Sequence, residues 1–170
     1  MGVSGDELRR APYDAMLQLA MKKAHDQGIV LIAAAGNAGP KSPPLYPGAD
    51  PSVIAVTATD ADDHLFDQAN RGRYVSVAAP GVDILVPAPD AGYQITTGTS
   101  VAAAHVSGVA ALLMARNPKA SVDLIRDILL STAKDLGPKG RDDQFGWGLV
   151  DPLKALKALK ALDAQAALSR

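Results

Sequence analysis

The chain has 170 residues, 48% of them hydrophobic, which is enough apolar material for one domain with a sizeable core. A net charge of -1 and an aromatic content of 4% exclude the basic footprint and stacking platforms of a nucleic-acid binder. With no cysteine there are no disulfides, no thiolate metal sites and no cysteine nucleophile, and the redox compartment stays open.

Residues 1–12 read as a mobile start, polar and glycine-containing, with neither helical nor strand period and without the apolar run of a signal peptide. No run anywhere reads as long enough to span a membrane. From Tyr13 onward, Leu17, Ala20, Met21 and Ala24 recur at helical intervals, predicting an amphipathic helix over 13–27 that covers a sheet and ends at Gly28. The run Ile29 to Ala35 has no polar alternation, as expected of a parallel strand buried on both faces. It stops at Gly36-Asn37, where glycine permits unusual backbone angles and the asparagine projects an amide; such an end is also ordinary turn chemistry.

A proline-rich loop from Pro40 to Pro51 contains Tyr46-Pro47-Gly48 and leads into a short strand over 53–58. Asp60, Asp62, Asp63 and His64 combine metal-ligand residue types, but in a polar connection where turn-forming aspartates are common, so they read as a turn. Val75 to Ala78 reads as a further strand, followed by Ala79-Pro80-Gly81, and Tyr93 to Thr97 as an extended approach to the next segment. That segment, Gly98-Thr99-Ser100-Val101-Ala102-Ala103-Ala104-His105-Val106-Ser107-Gly108 and on to Leu112, joins a turn, a hydroxyl and a helix that is apolar all round, so the helix (99–115) belongs inside a domain. Ser100 falls in its first turn, where unpaired N–H groups and the helix dipole favour developing negative charge.

Asn117-Pro118 ends this helix, and Val122, Leu124, Ile125, Ile128 and Leu129 predict an amphipathic helix over 121–135 capped by Ser121. Phe145 to Asp151 holds the single tryptophan. Residues 153–170 repeat Lys-Ala-Leu three times, so Leu153, Leu156, Leu159 and Leu162 spiral over about half a helix circumference. Three lysines suit a helix packed on its own domain better than one lying on a membrane.

The run from Gly98 to Gly108 resembles the nucleophile helix of the subtilisin-like serine proteases, the subtilase family, with its Gly-Thr-Ser-x-Ala-x-x-His-Val-x-Gly signature. Ala33-Ala34-Ala35-Gly36-Asn37-Ala38-Gly39 resembles the family segment that carries the oxyanion-hole asparagine. The resemblance covers roughly residues 13–152, the C-terminal half of a subtilase catalytic domain. It implies an incomplete α/β, three-layer parallel-sheet fold, with Ser100 as nucleophile and Asn37 as oxyanion donor. It also implies substrate contacts at Ala34, Ala35, Gly36, Tyr46, Pro47, Gly48 and Thr99, the Tyr-Pro-Gly often with a cis proline. Family members sometimes bind a weak cation near this loop; few carboxylates stand there, so neither metal nor cofactor is expected.

Two departures stand out. Ala104 replaces a proline common in the family, which should loosen the helix start. The family's Asp-Thr-Gly and His-Gly-Thr-His motifs, which supply the aspartate and the histidine base, are not found, and His25, His64 and His105 do not match the base. The expected partners are therefore a peptide or protein substrate and the missing N-terminal half, with no nucleic acid and no membrane. Two readings stay open: the nucleophile half of an endopeptidase, inert alone, or a non-catalytic module that binds peptide. The family is often secreted, but the compartment is not legible. An α/β-hydrolase is excluded, because Gly-Thr-Ser-Val-Ala is not a Gly-x-Ser-x-Gly elbow.

Overall fold

The computed structural model describes residues 5–168; Met1–Ser4 of the expected mobile start and the final two residues lie outside the described residues. In chain order the elements are α1 (Gly5–Asp26), β1 (Leu31–Ala34), β2 (Val53–Thr59), β3 (Val75–Pro80), β4 (Ile84–Ala88), β5 (Gly92–Thr96), α2 (Thr99–Arg116), α3 (Val122–Ser131) and α4 (Pro152–Leu168).

The three apolar runs pair as a parallel sheet in the order β1-β2-β3, with Leu31 opposite Val53 and Thr57 opposite Ala78. β2 is central and all seven of its residues are buried, which is why its sequence shows no polar alternation. Ile54, Val56 and Ala58 of β2 and Val77 and Ala79 of β3 form one cluster with Ala102, Val106, Val109, Ala110 and Leu113 of α2. Ile125, Ile128 and Leu129 of α3 and Ala155 and Leu159 of α4 complete it. The result is a mixed α/β fold built on a three-stranded parallel sheet, as the resemblance implies.

Five expectations need correction. The first helix does not begin at 13: the backbone is already helical at Gly5 and continues through Pro12, a start hidden because all of residues 6–10 but Leu8 are charged and carry no apolar period. It covers little, since Met21 is buried while Met16 and Leu19 are exposed. The strand expected over 29–35 is four residues long and only half-buried, because β1 is hydrogen-bonded to β2 alone. Helix α2 is not enclosed: its core side is fully packed, but Ala104, His105, Gly108 and Leu112 face outward, Leu112 being 53% exposed. By length and composition α2 is also apolar enough to cross a membrane, contrary to the sequence reading, although a core helix passes the same test. Finally, α3 stops at Ser131 rather than 135, because Lys134 exchanges backbone hydrogen bonds with Leu149.

Ser121 caps α3 through Leu124 N–H, as expected. Of the leucines in the repeat, Leu159 is buried and Leu153 and Leu162 stay exposed; Asn117 Nδ2 ties α4 down by donating to Asp163 Oδ1 at 2.7 Å. The antiparallel hairpin β4–β5 is unanticipated. It lies beside α2 and presents Leu85, Tyr93 and Ile95 outward.

Leu113→Ala should destabilise the chain by about 2–5 kcal/mol, whereas Leu112→Ala, one residue earlier, should stay within about 0.5–1 kcal/mol. Urea unfolding followed by circular dichroism distinguishes the two.

Candidate active site

Parallel strands deliver their carboxyl ends to one edge of the sheet, and an open α/β sheet places its sites there. At that edge β1 runs out through Ala35 into Gly36 and Asn37, and α2 begins with Thr99 and Ser100. The two meet through Thr99, which is fully buried. Its hydroxyl and its backbone N–H both donate to Asn37 Oδ1, at 2.8 and 3.0 Å, and its Oγ1 accepts from Gly36 N–H at 3.1 Å. With Oδ1 occupied by two donors, the amide orientation of Asn37 is fixed and its Nδ2 is the end left to face outward.

Ser100 is exposed beside it. A point one bond from the Gly98 Cα lies 3.3 Å from Asn37 Nδ2 and 3.4 Å from Ser100 Oγ, so these atoms are separated by no more than the sum of the two. Among the described residues neither Ser100 N–H nor Asn37 Nδ2 has a hydrogen-bond acceptor, and the Ser100 hydroxyl has no partner. Two unpaired donors and an unpaired hydroxyl therefore converge on one exposed edge, beside the positive end of α2. Ala104 is outward-facing on a helix that is regular from Thr99.

The other expected contact residues border this edge. Ala35 is buried and Ala34 half-buried, and a side chain at Gly48 would lie only 2.6 Å from the Ala34 carbonyl, so the 40–51 loop presses against the end of β1. The Tyr46–Pro47 bond is cis, and Tyr46 is 38% exposed.

None of the histidines reaches the serine. His25 lies 3.6 Å from Asp123, His64 pairs with Asp60 at 3.2 Å, and His105 Nδ1 is 3.1 Å from the Val101 carbonyl oxygen. The carboxylate of Asp60 is lowered below its ordinary value, first by the His64 N–H and then by the Asp62 N–H, the geometry of an aspartate turn.

Two residues essential to the geometry escape sequence reading. Asn70 is fully buried; its N–H donates to Gly36 O at 2.9 Å and its Oδ1 accepts from Ala38 N–H at 2.8 Å, so it grips the chain on both sides of Asn37. Gly36 sits at φ 114°, and a Cβ there would come within 2.9 Å of Asn70 Cγ, so only glycine lets the two approach. Tyr74 adds a third hold, its hydroxyl donating to Ala35 O at 2.8 Å. Nothing local marks either residue, since Asn-Arg-Gly is ordinary turn composition.

Residues 4–148 match the subtilase family. The chain belongs to that family. This subtilase is 38% identical over 135 residues to the minor extracellular protease Epr of Bacillus subtilis (strain 168), covering 79% of this chain and 21% of that protein. It is 38% identical over 138 residues to subtilisin DY of Bacillus licheniformis, covering 79% and 49%, and 36% identical over 151 residues to subtilisin BL of Lederbergia lenta, covering 89% and 55%. The subtilase chain thus spans between 21% and 55% of the length of these relatives.

Two outcomes follow for the asparagine loop. Asn70→Ala leaves the Ala38 N–H and Gly36 segment without its anchor and should speed amide exchange at Ala38 at least tenfold, read by hydrogen-exchange NMR. Burial raises the Tyr74 phenol above its ordinary value of 10.0, with Asn70 pulling weakly the other way. The folded chain thus holds this proton more tightly than the unfolded chain. That stabilisation is complete below about pH 10 and is lost as pH rises through the folded value. The melting temperature should fall above about pH 10, and less steeply in Tyr74→Phe.

Proposed function

We propose that this subtilase chain supplies the nucleophile and oxyanion half of a serine endopeptidase site and depends on a second stretch of polypeptide, in the same protein or another, for its base. The observation that carries the reading is the convergence of Ser100 with two unpaired donors on the carboxyl edge of the sheet. In this reading Ser100 Oγ attacks the carbonyl carbon of a peptide bond and yields its proton to the incoming base. The oxyanion accepts hydrogen bonds from Ser100 N–H and Asn37 Nδ2, the amine departs with that proton, and water then releases the acyl group. Ala34, Gly36, Tyr46 and Pro47 border the path of the peptide, and the expected contacts Ala35, Gly48 and Thr99 are buried and act from beneath as support.

The lack of a histidine within reach of Ser100 supports the dependence: a serine hydroxyl without a positioned base is a weak nucleophile at neutral pH. The outward side of α2 and the free edge of β1 are the surfaces such a stretch would cover. Family membership supports a protease kind of chemistry and a peptide or protein substrate.

Alone, the 170-residue chain should react slowly or not at all with a fluorophosphonate probe and should not cut casein. Added N-terminal half of a related subtilase catalytic domain, carrying the Asp-Thr-Gly and His-Gly-Thr-His motifs, should bring labelling that is abolished by Ser100→Ala and weakened about 10²-fold by Asn37→Ala. Rapid Ser100-dependent cleavage by the chain alone would refute the dependence. Peptide binding with no labelling even after addition of the second half would favour a non-catalytic, peptide-binding role.

A further inference from the structure

At the other end of the sheet, where β2 and β3 begin, lies a cavity of about 370 Å³ that no part of the proposed peptide chemistry uses. Its walls include Asp50, Arg73, Tyr74, Arg126, Arg141 and Trp147. Three guanidinium groups around one small space is a strong concentration of positive charge for a chain of net charge -1. The one carboxylate on the wall is drawn into its own loop: Asp50 is buried, and its Oδ1 accepts from both the N–H and the hydroxyl of Ser52, at 2.8 and 2.5 Å.

Two of the arginines are held in place by backbone carbonyls; Arg126 has no carboxylate partner among the described residues, whereas Arg141 is paired with one. Arg126 Nη1 donates to the carbonyls of Pro51 and Val53 at 3.1 and 3.3 Å. Arg141 Nη2 donates to the carbonyls of Gly72, Arg73 and Val75, while its Nη1 pairs with Asp143 at 3.0 Å. Arg73 is exposed, and among the described residues it has no carboxylate partner within ion-pair distance. Trp147 is anchored as well, its backbone N–H donating to Ser76 O at 3.0 Å within a turn closed by Asp142 and Gly146, and the residue is 47% exposed.

We infer that this cavity binds a small oxyanion carrying more than one negative charge, an inorganic phosphate or a polycarboxylate. Guanidinium groups suit that ligand because each offers several N–H donors in a plane that matches carboxylate and phosphate oxygens. Pre-anchored arginines lose little side-chain freedom on binding, so the interaction is not offset by ordering. A bound oxyanion would bridge the start of β3 through Arg73, α3 through Arg126 and the 141–147 turn through Arg141, tying together three segments distant in sequence.

The single tryptophan lies on the wall and reports occupancy directly. Titration of the full chain with sodium phosphate, and separately with citrate, should change Trp147 emission saturably and raise the melting temperature over the same concentration range. A response to one alone identifies which oxyanion geometry the cavity prefers. Sodium chloride at equal ionic strength should reproduce neither effect. Arg73→Gln removes no scaffold contact and should raise the half-saturating concentration about tenfold, the loss expected of one charge-assisted hydrogen bond. Absence of a saturable response to both oxyanions, a response matched by chloride, or an unchanged half-saturation in Arg73→Gln would each overturn the assignment.

Discussion

The Thr99 side chain is the fastening on which the rest of the proposed site depends. One hydroxyl donates to Asn37 Oδ1 and accepts from Gly36 N–H, while the adjacent backbone N–H adds a second donor to the same oxygen. These bonds span 62 and 63 residues of sequence and join the end of a strand to the start of a helix. Because the threonine is fully buried, each of its polar atoms must find a partner inside the protein, and desolvation makes those partners expensive to lose. Local polar satisfaction and the orientation of the exposed asparagine amide are therefore one and the same requirement. Asn70 and Tyr74 then hold the backbone on either side, so the loop carrying Asn37 is fixed from the strand, from the helix and from below.

Helix α2 links this edge to the core. The residues that bury against β2 and β3 are Ala102, Val106, Val109, Ala110 and Leu113, a series starting two residues after Ser100. Small residues on this side let the helix lie close to the strands, and a close-packed interior does not yield to small displacements. The position of Ser100 is thereby inherited from the packing of the core rather than from the loop that precedes it. The outward side of the same helix, with His105 and Leu112, has the apolar composition of a buried surface without being buried in this chain.

How much of this was legible in the sequence varied with how local the signal was. The strands β2 and β3 are legible because short runs rich in valine, isoleucine and alanine, free of charge, suit burial in a sheet. Ser121 and Gly28 mark a cap and a helix end through backbone geometry that a few residues determine alone: Gly28 sits at φ 83° where Ile29 N–H closes back on Ala24 O. Asn37 and Ser100 stand in motifs long enough to be recognised, and the fold brings them side by side. Asn70 was invisible, since its importance comes from what surrounds it in space and not from its neighbours in the chain. The β4–β5 hairpin was masked by Pro87 and Pro89, residues that argue against a strand when read locally but are tolerated in a two-stranded ribbon with free edges. The exposure of α2 was misjudged for a different reason: composition reports what a surface is suited to touch, not whether the partner is part of the same chain.

β1 has one further consequence. Among the described residues its backbone is hydrogen-bonded on one side only, and the other side presents a row of N–H and C=O groups beside Leu31, Ile32 and Ala33. Natural sheets blunt such borders with lysine, proline or a bulge. This one carries none of these guards within the strand. A bare border of that kind does not discriminate among strands: a copy of the same chain can zip onto it as readily as any other strand. The feature that would let a complementary segment extend the sheet is thus also the place where crowded copies of the chain would begin to aggregate.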